Sequence, residues 1–168
     1  MENESKRSYV MPVEFEVKMD AKSLSGFVLY HNYVRPGGII GLVLSVVAIV
    51  SLIIRWADWT SIQKCLLIAL ALLFLIFQPL MLLKKANDQL NSDAFKHPMK
   101  YSFEKDGFTI SQGDKSESYS YADIRKPVFH KKVMYLYMTT VSALIIPKSR
   151  CENDFDAIKE MVKAGRMG

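Results

Sequence analysis

Two stretches without a single charge, Gly37–Ile54 (GGIIGLVLSVVAIVSLII) and Cys65–Leu83 (CLLIALALLFLIFQPLMLL), restrict this chain more than any other feature. At about 1.5 Å of rise per residue each reaches roughly 27–29 Å as a helix, close to the roughly 30 Å of a bilayer hydrocarbon core. A buried helix of a soluble bundle needs a polar face, and neither run has one. The mean hydropathy of +0.09 conceals this, because it averages the apolar centre with polar flanks. The first seventeen residues have no apolar core of a signal peptide, so both runs are expected to remain as anchors.

Only RWADWTSIQK, residues 55–64, joins the runs, so they are expected to form a transmembrane hairpin with both chain ends on one side. Basic residues give its direction. Lys6, Arg7, Lys18, Lys22, Arg35, Lys84 and Lys85 flank the terminal side, against Arg55 and Lys64 in the loop. The expected location is therefore the cytoplasmic membrane, multi-pass, with both termini cytoplasmic. Trp56 and Trp59 then fall in the outer interfacial belt, and Tyr30 and Tyr33 near the inner one. Cys65 and Cys151 lie on opposite sides of such a bilayer and are not expected to pair.

The flanks divide further. Residues 1–10 read as a disordered tail. Within residues 11–20, Val13, Phe15, Val17 and Met19 alternate with Glu14, Glu16 and Lys18, the pattern of a half-buried strand. Asp20 is a suitable N-cap for an interfacial amphipathic helix over 21–35, with Leu24, Phe27, Val28, His31 and Val34 at helical spacing. Transmembrane helices are expected over 36–56 and 63–83, the second kinked near Gln78-Pro79, with a cytoplasmic continuation over 84–97.

From residue 98 the apolar period changes to two. Strands are expected at 100–104, 108–112, 116–121, 127–130, 133–139 and 142–147, with a helical turn at YADIRK. A final helix begins at Asp154, with Phe155, Ile158, Met161 and Val162 on one stripe. Six consecutive antiparallel strands need a plug at the open end of their bent sheet, which this helix would supply. The strand at 13–19 must satisfy its backbone groups somewhere, and the edge of this sheet is the nearest partner.

The segments VEFEVKM, LSGFVLYHNYVRP, QPLMLLKK and YSFEKDGFTISQGDKSESYSYADIRKPVFHKKVMYLYMTTVSALIIPKS resemble the YcxB-like family of bacterial membrane proteins. The most specific parts are FEKDGFTISQG, the Tyr121, Asp123 and Ile124 of YADI, and LIIPKS. The family usually has Trp at the place of Tyr121 and often Arg at that of Ser149. The resemblance implies an α+β membrane protein: a two-helix transmembrane hairpin inserted in a pleckstrin-homology-like, seven-stranded barrel or sandwich, capped by a C-terminal helix, with the like domain over 98–168. It implies no catalytic residue and no cofactor.

The residues themselves give no catalytic motif either: no nucleophile elbow, no phosphate-binding loop, no His-Glu-x-x-His, no Cys-x-x-Cys. His31, His97 and His130 have no metal-site spacing, and no metal or cofactor is expected. His130 reads as a flank of a β-turn. Asp123 is the sharpest acidic candidate and reads as a turn-stabilising carboxylate. Glu14 and Glu16 read as solvated, and Gln78 as a polar position near the inner interface or a hydrogen-bonding contact to another helix or subunit.

The net charge of +5 suits an anionic surface, and one basic set carries functional promise: Arg125, Lys126, His130, Lys131, Lys132, Lys148 and Arg150. If the turn at 131–132 and the exit at 148–150 share a rim, they face anionic lipid headgroups; otherwise they are solvated turn lysines guarding strand edges. Nucleic acid is not expected, since the aromatic residues of strand 133–139 alternate with core residues rather than forming a stacking platform. The expected function is a membrane-anchored, non-enzymatic binding or scaffold module, with the bilayer, its anionic headgroups and another membrane protein as partners. The alternative is an accessory subunit of a transporter, packed along Gly41, Ser45 and Ala48, or a small lipid-modifying enzyme.

Overall fold

The computed structural model describes residues 12–166; the expected tail over 1–10 lies outside them. The chain divides into two compact units, one of residues 20–92 and one made of the segments before and after it.

The helical unit begins where Asp20 caps α1 (Ala21–Val34), its carboxylate accepting from the Ser23 N–H at 2.8 Å. Leu24 and Phe27 of the anticipated stripe are buried, while Val34 is exposed. Pro36 sits in the first turn of α2 (Pro36–Ile54), where its missing N–H costs nothing. Thr60 and Gln63 form a reciprocal capping box that starts α3 (Ser61–Leu72). A π-helical turn, Leu73–Phe77, then leads without interruption into α4 (Gln78–Leu90). This π turn ends immediately before Gln78-Pro79, where a kink was expected. Small residues set the packing of α2: a Cβ on Gly41 would lie 2.4 Å from the Phe74 ring, and the Ser45 hydroxyl donates to the Gly41 carbonyl at 2.9 Å.

Two helices, Pro36–Ile54 and Ser61–Leu90, are long and apolar enough to cross a membrane. Ile40, Val43, Val47, Ile53, Leu66, Ile76 and Leu80 all point outward and exposed. So continuous an exposed apolar surface is rare on a soluble monomer.

The second unit contains the seven anticipated strands. β1 (Val13–Val17), β2 (Met99–Phe103), β3 (Gly107–Gln112) and β4 (Lys115–Ser120) form one antiparallel sheet in sequence order; a short α5 (Asp93–Lys96) precedes β2. β1 does join the later strands, with Val13 opposite Phe103 and Val17 opposite Met99. β5 (Lys126–Phe129), β6 (Val133–Tyr137) and β7 (Ala143–Pro147) form a second sheet. The six later strands are therefore not one ladder, and the sheets do not close into a barrel. The 3-10 turn Tyr121–Asp123 ends β4: the Asp123 carboxylate accepts from the Ser120 N–H at 2.8 Å, turning the backbone out of register before β5 begins. Asp123 is a structural cap, as its position in YADI suggested.

An aromatic row crosses the inner face of the first sheet. Phe15 stacks on Tyr101 at 5.3 Å, Phe103 on Phe108 at 5.2 Å, and Phe108 on Tyr119 at 5.6 Å. Met134, Leu136 and Ile146 of the second sheet join the same core. Helix α6 (Phe155–Gly165) closes it with Phe155, Ile158 and Val162 buried and Met161 packed partly against it. Glycine is needed twice in the first sheet. Gly113 adopts φ 58° in the two-residue β3–β4 connection, a conformation side chains resist. At Gly107 a Cβ would meet the Tyr119 carbonyl at 2.3 Å.

Candidate functional site: a basic rim

The antiparallel register of the second sheet brings two basic stretches together. Phe129 opposes Met134, so His130, Lys131 and Lys132 form the β5–β6 turn, closed by the His130 N–H donating to the Val133 carbonyl at 2.9 Å. Val133 opposes Pro147, so β7 leaves the sheet beside that turn. The Lys148 N–H donates to the Lys132 carbonyl at 2.9 Å, joining the two segments directly.

After Pro147 the chain forms a 3-10 turn, Lys148–Arg150. The Arg150 guanidinium reaches the carbonyl of Lys18 at 3.4 Å, drawing the exit of β1 to the same edge. Lys148 lies with its ammonium 5.5 Å from the Phe155 ring centre, and Lys159 and Lys163 lie 5.8 and 6.0 Å from that of Phe129. Such stacking holds the aliphatic stems against the core while the charged ends face water.

Of the seven anticipated residues, His130, Lys131, Lys132, Lys148 and Arg150 share this rim. Arg125 and Lys126 do not. Lys126 opposes Tyr137 at the far end of β5, four residues and about 13 Å from His130. Arg125 serves backbone purposes there: its N–H donates to the Tyr137 carbonyl at 2.8 Å, and its carbonyl accepts from Arg166 at 3.1 Å. The physical reason is the strand itself, which carries residues adjacent in sequence to opposite ends of a sheet.

Lys159 and Lys163 are the residues that sequence reasoning missed. The i, i+4 spacing of Lys159 and Lys163 marks one helix face, but only packing against Phe129 puts that face beside the β5–β6 turn. Acidic residues temper the charge. Glu160 pairs with Lys163 at 2.9 Å, both well exposed, a geometry that contributes little.

The turn's one cysteine is chemically quiet. Burial, reinforced by Asp154 and opposed by Lys148, pushes the Cys151 thiol up to about 12, and it is buried and unpaired. The rim thus gathers exposed cations beside a buried, protonated thiol.

A second concavity, of about 360 Å³, lies on the outer face of the first sheet among Glu14, Glu16, Lys100, Ser102, Thr109 and Ser111. Its hydroxyls bond one another across the strands, Thr109 with Ser118 and Ser111 with Ser116, each at 2.9 Å. This is the expected solvated face of an antiparallel sheet, and Glu14 and Glu16 are exposed on it.

No curated protein and no solved structure matches the chain. The model of the YcxB-like protein family matches residues 103–162, a span that includes the β5–β6 turn, the 3-10 turn and most of α6. Over these residues the chain is similar to the YcxB-like family.

Proposed function

We propose that this chain is a membrane-anchored, non-enzymatic binding or scaffold module of the cytoplasmic membrane, whose basic rim contacts anionic lipid headgroups of the inner leaflet. The observation that carries this reading is the Lys148–Lys132 backbone hydrogen bond, which gathers Lys131, Lys132, Lys148 and Arg150 at one edge. That edge also holds the carbonyl of Lys18, just past the end of β1, where the chain departs for its apolar helices. In this reading α2 and the α3–α4 helix are a transmembrane hairpin, and the seven strands with α6 are a pleckstrin-homology-like domain on the cytoplasmic side. The excess of Lys and Arg on the terminal side of the two spans supports the orientation. Each basic residue near an anionic leaflet contributes about 1 kcal/mol, so the rim needs no deep pocket.

The full chain in lipid nanodiscs tests this. A nitroxide placed by Lys131→Cys should approach paramagnetic headgroup reporters more closely than one at Lys126→Cys. It should do so in anionic lipid, less in phosphatidylcholine, and less again at high salt. Equal proximity at the two positions, insensitive to lipid charge, overturns the reading. The accessory-subunit alternative gains no support from Gly41, Ser45 and Ala48, because these small residues are buried within the chain.

A further inference from the structure

The strand ladder sets two like charges against each other. Lys132 stands directly opposite Lys148, one pair beyond Val133 and Pro147, and its carbonyl accepts from the Lys148 N–H at 2.9 Å. Directly opposed residues of an antiparallel pair hold their Cβ atoms about 4.5–5.5 Å apart, and like charges placed there repel. Packing does not ask for a cation at Lys132, which is exposed in its turn.

A third ammonium comes from α6. The Lys148 ammonium lies 5.5 Å from the centre of the Phe155 ring, and Lys159 follows Phe155 by one helical turn, which puts their Cβ atoms about 5–6 Å apart. Lys159 leans in turn on Phe129, at 5.8 Å, and Phe129 ends β5 just before the turn that carries Lys131 and Lys132. Lys148 and Lys159 are both half-buried, so these contacts limit how far either can withdraw from the other charges. Glu160 is taken by Lys163. Among the described residues Lys132, Lys148 and Lys159 form no ion pair; Asp154, which like Lys148 acts on the Cys151 thiol, is not paired with it.

We propose that Lys132, Lys148 and Lys159 form a discrete site for a phosphate monoester. A phosphodiester headgroup carries one negative charge, whereas a monoester carries about 1.5–2 at neutral pH and offers three acceptor oxygens. Each ammonium is a donor without an acceptor of its own, so three of them match a monoester in both charge and oxygens. A diester leaves the repulsion between Lys132 and Lys148 only partly relieved. The same chemistry occurs at the end of a lipid, as in phosphatidic acid, and in soluble phosphate compounds. The site deepens the reading of the rim as a surface for anionic headgroups and rests on it.

The test is acylation of lysines in the full chain in nanodiscs, read by peptide mass mapping. Discs of phosphatidylcholine alone are compared with discs containing phosphatidylglycerol or phosphatidic acid, the last two adjusted to equal surface charge. Phosphatidic acid should protect Lys132, Lys148 and Lys159 roughly fivefold more than phosphatidylglycerol does, the effect of one extra unit charge about 4 Å away in water. Lys126, at the far end of β5, should not discriminate between them. Lys148→Gln should abolish the discrimination at Lys132 and Lys159 while thermal unfolding matches the wild type. Inorganic phosphate added to phosphatidylcholine discs separates the two sources: protection of the same three lysines assigns the site to soluble monoesters, and protection confined to phosphatidic acid assigns it to the lipid. Equal protection by the two anionic lipids, with none by inorganic phosphate, overturns the proposal and leaves the rim reading standing. Protection by neither lipid removes the rim reading too.

Discussion

The phenol of Tyr121 donates a 2.6 Å hydrogen bond to the carbonyl of Glu104, seventeen residues earlier. It ties the 3-10 turn after β4 to the β2–β3 connection, while the ring lies against Phe108 at 6.0 Å. Removing the hydroxyl in Tyr121→Phe leaves that carbonyl without its donor and should cost about 1 kcal/mol, measured by denaturant titration of the full chain in detergent.

The same phenol makes stability depend on alkaline pH. Burial first, then Asp106 and Glu104, raises Tyr121 from 10.0 to about 12 in the folded protein. Its contribution is therefore complete below pH 10 and is lost as pH rises toward 12, where the unfolded chain releases the proton first. The fall in unfolding midpoint across this window should be smaller in Tyr121→Phe than in the wild type.

Gly165 passes so close to Tyr121 that an added Cβ would lie 2.3 Å from the ring. The ring is held by Glu104 on one side and the core on the other, and cannot swing away. Gly165→Ala should cost about 1–3 kcal/mol, the usual range for overpacking. Faster hydrogen exchange in the last turn of α6 should accompany it.

Gly41 plays the corresponding part in the helical unit, with its would-be Cβ 2.4 Å from the Phe74 ring. Gly41→Val should push α2 off the α3–π–α4 helix and lower the thermal unfolding midpoint in detergent. Ser45→Ala, which removes only a hydroxyl bonded within its own helix, should change it little.

The two cysteines should differ in reactivity. Thiolate is the reacting form, and burial pushes the Cys151 thiol up to about 12, while Cys65 is exposed. Iodoacetamide at neutral pH should modify Cys65 of the detergent-solubilised protein and reach Cys151 only after denaturation, as peptide mass mapping will read.

Much of this was legible from local pattern. The alternation of Val13, Phe15 and Val17, the cap at Asp20, the apolar runs and the stripe of α6 each depend on neighbours within a few residues, and each element formed where its pattern lies. The two sheets did not follow from such patterns. The expectation of six continuously paired strands failed at Tyr121–Asp123, where Asp123 satisfies the backbone N–H of Ser120 locally and ends the strand.

The basic set shows the same division at the level of the site. Charge and turn composition singled out Lys131, Lys132, Lys148 and Arg150 without any coordinates, because residues at turns face solvent whatever the topology. Whether two turns meet is a question of register, settled by ladder hydrogen bonds between strands distant in sequence. That pairing joined Lys132 to Lys148, sent Lys126 to the opposite end of β5, and left Lys159 to arrive with a helix that seeks the core. Short-range chemistry determined which elements this chain forms and which side chains stay charged and exposed; long-range pairing and burial alone decided which of them became neighbours.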